Sequence, residues 1–262
     1  ATDETGLVAT TTIRDFDLVT AKPTSVLRPE VMKLQSDAYG FGGNISFSGI
    51  SDKGMSVVGT DMSDAVELNE SADGIHTVYA HGGHDVITAP KGRAFLMGGD
   101  GDDILLGSAH GYVNLNGGSG DDHLIGGSID LLNGSIGDDT LIALGGGNDL
   151  FGGQGADKFV LADTFLMPGM AANRVTDFTP GEDKLVFAGH VRGGVAPSFV
   201  SGATGTNVIL DGHHIATLAD VQAGDIVLGR DVEMMDKSLV SPLTNSIAAV
   251  ADVYDDLAVH SN

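Results

Sequence analysis

The chain of 262 residues has no cysteine, no tryptophan and only 13 basic side chains against 36 acidic ones. Each scarcity excludes something. Without cysteine no disulfide can staple the fold, and bound ions are the other staple open to a secreted protein. A formal charge of −23 argues against nucleic acid or an anionic membrane as a direct partner. No run is long and apolar enough to cross a bilayer as a helix. The chain contains neither H-E-x-x-H nor G-x-S-x-G, so the zinc-protease and serine-lipase sites built on those motifs are absent. A sugar-cleaving site needs paired carboxylates in a groove with aromatic platforms, and four tyrosines without tryptophan supply few of them. The residues lean away from an enzyme, though a site for an extracellular polymer stays open.

Glycine is abundant instead, with 39 residues, and it is periodic. GGDGDDILL at 98–106, GGSGDDHLI at 117–125 and GGQGADKFV at 152–160 share the pattern G-G-x-G-x-D-x-U-x, where U is large and apolar. GSIGDDTLI at 134–142 differs at its second glycine. The first six residues must both reverse the chain and surround a cation. Glycine permits the backbone angles this needs and lets carbonyl oxygens converge. Oxygen donors with a few carboxylates suit a hard ion such as Ca²⁺. The last three residues form a short strand whose middle residue points inward.

These nonapeptides resemble the calcium-binding repeats of RTX (hemolysin-type) proteins. The stretch 71–228 resembles a serralysin-type roll without its protease domain. The resemblance implies an all-β fold: a right-handed parallel β-roll, which is a two-sided solenoid, with an N-terminal cap and a C-terminal antiparallel β cap. The chain is read as 1–44 (cap), 45–160 (roll), 161–230 (β cap) and 231–262 (tail with a short amphipathic helix), the tail extending beyond the usual family ending. In such a roll consecutive nonapeptides form the two halves of one coil, so a turn stacks on the turn two repeats later. The position-six aspartates fit this, because Asp85, Asp103, Asp122, Asp139 and Asp157 stand 18, 19, 17 and 18 residues apart. They are expected along one edge of the roll.

The implied metal-ligating residues are those aspartates and the glycines of their turns. The first full turn supplies Gly98, Gly99, Asp100 and Gly101, and the second Gly117, Gly118 and Gly120. Gly134 and Gly137 follow, then Gly152, Gly153 and Gly155. Ions held between five stacked turns would number about four, with one or two more possible. On the other edge position six reads His76, Ala94, Val113, Asp130 and Asn148, and Asp130 with Asn148 or Asp149 is a candidate weaker site. Inward positions survive on both edges: Val78, Ile87, Leu96, Leu105 and Leu115, then Leu124, Leu132, Leu141 and Phe159, with a register slip near Phe151. His81 and His84 lie three apart in one turn, near His76, His110 and His123, but the five share no single edge and face.

Before the roll, 7–13 is β-rich, 15–19 alternates, and 29–35 suggests one or two helical turns behind Pro29. After it, 177–183 reads D-F-x-x-G-x-D, the loop that leads into the antiparallel cap in serralysin-type proteins. Asp177 and Asp183 match its aspartates, as ion ligands or turn-makers. A hairpin is expected around Asp211-Gly212, with His213 and His214 on the surface. Ile247, Val250, Val253 and Leu257 recur at helical spacing. Residues 1–6 lack the basic and apolar regions of a Sec signal. The resemblance implies secretion to the extracellular space by type I export from a Gram-negative bacterium, with calcium as the partner. A cell-surface or polysaccharide partner is the alternative.

Overall fold

Apolar residues alternate with polar ones over runs of three to eight positions, too short for helices and right for strands. The computed structural model describes residues 10–13, 30–33, 44–47, 55–68, 75–88, 92–107, 112–162, 171–188 and 196–235. Its strands are β1 (Thr10–Ile13), β2 (Glu30–Lys33), β3 (Asn44–Phe47), β4 (Met55–Val58), β5 (Ala65–Leu68), β6 (Ile75–Gly82) and β7 (Val86–Thr88). There follow β8 (Arg93–Asp100), β9 (Ile104–Leu106), β10 (Val113–Ser119), β11 (His123–Gly126), β12 (Leu131–Ile136), β13 (Thr140–Ala143), β14 (Asp149–Gln154) and β15 (Lys158–Ala162). The last are β16 (Asn173–Val175), β17 (Lys184–Ala188), β18 (Ser198–Ser201), β19 (Gly205–Leu210), β20 (His213–Ala219) and β21 (Val232–Met235).

Odd-numbered strands from β1 to β17, followed by β21, stack in parallel as one sheet. Even-numbered strands from β2 to β16 stack in parallel as a second, which β20, β19 and β18 extend. The chain thus alternates between two facing sheets, and each strand stacks on that of the coil before: a parallel β-solenoid. Among the described residues, antiparallel pairs occur only where β18, β19 and β20 meet at the C-terminal end. The hairpin turn there is Asp211-Gly212, with φ of 51° and 77°, the left-handed pair of a type I′ turn.

The core is the space between the sheets. All nine expected inward residues, Val78 to Phe159, are fully buried, and so is Leu150. The register slip is resolved there: Leu150 turns in and Phe151 turns out. One expectation changes. Residues 30–33 form a parallel strand on β4 rather than helical turns. A lone helical turn fixes several dihedrals for one hydrogen bond, whereas a sheet edge supplies partners already aligned. The parallel ladders also reach into the stretches expected as cap and tail, through β1 on β3 and β21 on β17. The expected strand at 15–19 and helix at 247–257 lie outside the described residues.

Leu124→Ala removes a fully buried side chain from the middle of the stack and should cost about 2–5 kcal/mol in denaturant unfolding. Leu131→Ala, on the outward face, should change stability by less than about 0.5 kcal/mol. Equal losses at both positions would contradict the inward–outward assignment.

Candidate metal-binding edge

Turns running from the second sheet to the first share one edge of the solenoid. From β5 onward each ends in an aspartate just before the strand of the first sheet. Asp85, Asp103, Asp122, Asp139 and Asp157 are all buried there, in one column as their spacing predicts. The column has members that the repeat pattern did not reveal: Asp64 before it, Asp183 and Asp231 after it, all buried. One hydrogen bond recurs along it. The backbone N–H of Asp64 donates to Asp85 Oδ1, that of Asp85 to Asp103 Oδ1, and that of Asp103 to Asp122 Oδ1. Asp122 then donates to Asp139, Asp139 to Asp157 and Asp157 to Asp183, all at 2.8–2.9 Å.

Oδ1 is therefore spent on the stack, and the fate of Oδ2 separates two kinds of turn. Asp85, Asp103, Asp122 and Asp139 each leave Oδ2 buried without a hydrogen-bond partner. At the ends of the column Oδ2 is taken by a backbone N–H four residues earlier: Thr60 to Asp64, Thr179 to Asp183 and Val227 to Asp231, each at 2.7 Å. Asp231 also receives Arg230, whose guanidinium pulls its carboxyl down to about 2. Asp177 receives the N–H groups of Gly152 and Gly153, the turn-making role. The signal for the column ends was T-x-x-x-D, at 60–64 and again at 179–183. It was hidden because these aspartates stand 21 and 26 residues from their neighbours, off the repeat's period.

The turns at 80–85, 98–103, 117–122, 134–139 and 152–157 stack in register and meet at four junctions, the cradles of this edge. In the turn at 117–122, Gly118 and Gly120 have φ of 127° and 130°. A Cβ on Gly118 would lie 2.0 Å from the Gly99 carbonyl oxygen, and one on Gly120 2.4 Å from that of Gly101. The cradle is thus lined by carbonyl oxygens of one turn at the place where a side chain of the next would sit. At the position of Gly118 the divergent turns carry His81 and Ser135, with φ of 84° and 89°, so the left-handed conformation is kept without glycine. Among the described residues no three acidic or imidazole side chains converge on one point. The donors of a cradle are backbone carbonyls joined by stacked carboxylates, an all-oxygen set. The side chain of Asp100 is exposed, away from the buried column.

Burial pushes the Asp85 and Asp157 carboxyls up to about 7, Asp103 and Asp139 to about 6, and Asp122 to about 8. Donated N–H groups offset part of this, and neighbouring aspartates add to it. A second column, exposed, runs beside the first: Asp121 N–H donates to Asp102, Asp138 to Asp121 and Ala156 to Asp138.

Among the described residues, Asp130 and Asn148 on the opposite edge leave no side-chain oxygen orphaned. Asp130 accepts from Val113 N–H and Gly127 N–H. Asn148 accepts from Asp130 N–H, and its amide nitrogen lies 3.0 Å from the carbonyls of Gly127 and Gly145. The amide satisfies carbonyls of two stacked turns from within the protein. The candidate site at Asp130, Asn148 and Asp149 is therefore filled by hydrogen bonds, with Asp149 pointing to solvent. The histidines disperse. His76 is buried near this edge, while His81 and His84 are exposed on the other, where Asp102 N–H donates to His84 Nδ1. His110 lies outside the described residues.

No protein-family model matches the chain, and no curated protein sequence does.

The raised carboxyls predict how the ion-free chain responds to pH. A group that titrates at about 6 to 8 when folded and at 3.8 when unfolded holds its proton more tightly in the folded state. Its contribution to stability is fully present below the unfolded value and is lost as pH rises through the folded one. In chelator, the β signal in circular dichroism should therefore grow as pH falls from about 8 to about 4. Loss of β signal over that window would contradict the buried column.

Proposed function

We propose that this is a secreted RTX-type protein whose β-roll binds Ca²⁺ along one edge and folds when it does so. The observation that carries the reading is the set of orphaned oxygens on Asp85, Asp103, Asp122 and Asp139. A buried carboxylate oxygen without a partner is costly, and a cation is the partner its surroundings suit. All-oxygen donor sets rich in carbonyls favour Ca²⁺ over the metals that prefer imidazole or thiolate. Residues that would hold the ions are these aspartates with Asp157, and the carbonyl-bearing positions of the turns: His81 and Gly83, Gly99 and Gly101, Gly118 and Gly120, Ser135 and Gly137. Four cradles correspond to four ions. Asp103, Asp122 and Asp139 each border two cradles, so filling one prepares the next and loading is cooperative.

The ion's chemistry here is mechanical. Without it, stacked like charges repel and the glycines favour the unfolded chain. With it, the buried column is neutralised, and binding to the folded state alone stabilises that state. Low calcium inside a cell would leave the chain extended for type I export, and millimolar calcium outside would close the roll.

A chain stripped with EGTA should gain β signal on adding Ca²⁺, with a Hill coefficient above 1 and about four ions bound by equilibrium dialysis. Asp122→Asn, between two cradles, should raise the calcium midpoint about tenfold or more, while Asp211→Asn in the hairpin turn should not move it. Identical spectra with and without calcium would overturn the reading, as would a chain retained wholly in the cells of a fractionated culture.

A second reading, calcium-dependent adhesion to a polysaccharide, is favoured by Tyr79, Phe95, Tyr112 and Phe151, all exposed on strands of the second sheet or beside them. Retention on a polysaccharide matrix with calcium, reduced by Phe95→Ala with Phe151→Ala, would support it.

A further inference from the structure

The two sheets differ on their outer faces. In the first sheet Leu106, Ile125, Ile142, Val160 and Val186 stack in register on adjacent strands. Each follows a core residue, so it points away from the core. Yet these five are only 1–6 % exposed. Their counterparts on the outer face of the second sheet, Phe95, Leu131 and Phe151, are 41–43 % exposed. The row therefore lies under a cover. Its described packing partners, Leu144, Ala188, Ile104 and Ala162, all belong to the first sheet or its margin.

We propose that this row is the docking site for the chain's own C-terminal segment, residues 247–257. Ile247, Val250, Val253 and Leu257 form one apolar stripe at helical spacing. As a helix the segment is about 15 Å long, and the row spans four strand steps, about 19 Å. The chain leaves the solenoid beside the row: β21 pairs with β17, and its Met235 lies opposite Ala188. The residues at 236–246 can span up to about 36 Å, enough to fold back over the sheet. Charge agrees as well, since Lys158 and Lys184 pair in register beside Val160 and Val186, while Asp252, Asp255 and Asp256 flank the stripe. The docked segment closes a face that would otherwise offer an apolar patch to a second copy.

The absence of cysteine makes the test direct. A full-length chain carrying Thr140→Cys, next to Ile142 on β13, and Ala251→Cys should form an intramolecular link with a short bis-maleimide. Asn114→Cys with Ala251→Cys, on the other sheet, should not. Val250→Asp with Val253→Asp should slow the first link at least tenfold and raise dye binding to exposed apolar surface, with the circular dichroism of the roll unchanged. Links only between molecules would assign the row to a second copy and overturn the proposal. So would an absent link together with increased dye binding in Leu166→Asp, which would assign the cover to residues 163–170. The link requires a folded roll and no particular ion, so its failure is distinguishable from failure of the calcium reading.

Discussion

Everything on the candidate edge follows from one hydrogen bond repeated along the stack. The Oδ1 of each coil's aspartate accepts a hydrogen bond from the backbone N–H of the aspartate one coil earlier. The bond fixes where each turn sits over the last and draws the carboxylate out of water. It also commits only one of the two oxygens. What happens to the other divides the column into self-capped ends and a middle with partnerless oxygens, so a single side-chain type both builds the fold and leaves the buried oxygens on which the calcium proposal rests.

The two edges answer the same geometric problem differently. Stacked turns bring carbonyl oxygens close together, and such groups need a positive partner when buried. On one edge Asn148 supplies it as an amide, and the groups at Asp130 are closed by backbone N–H donors. On the other edge the turns at 98–103, 117–122 and 134–139 contain no such amide, and glycine keeps the space between carbonyls empty of side chain. The asymmetry is therefore chemical while the backbone is shared. At the far end of the column the positive charge comes from the protein itself, with Arg230 held against Asp231.

The faces of the sheets carry a comparable asymmetry. Strands of the second sheet alternate, as in RAFLM at 93–97, and their outward residues stay in contact with water. Strands β9 to β17 of the first read as nearly continuous apolar runs, ILL at 104–106 or KFVLA at 158–162, the pattern of strands covered on both faces. That signal was present in the residues, but a short apolar run alone does not say which of its members faces the core.

The column of five aspartates, the inward Leu105, Leu124 and Leu141, and the Asp211-Gly212 hairpin were legible in the sequence, because each depends on spacing or on a conformation only certain residues adopt. Glu30–Lys33 was misread because so short a segment takes its structure from the strand beside it. Asp64, Asp183 and Asp231 joined the column, and Asn148 closed the opposite edge, only through contacts between coils. The sequence by itself determined the period, and the period determines what can stack on what. Tertiary structure alone decided which stacked oxygens were already satisfied, because a hydrogen-bond partner 17 to 26 residues away is set by the register of whole coils and not by any local pattern.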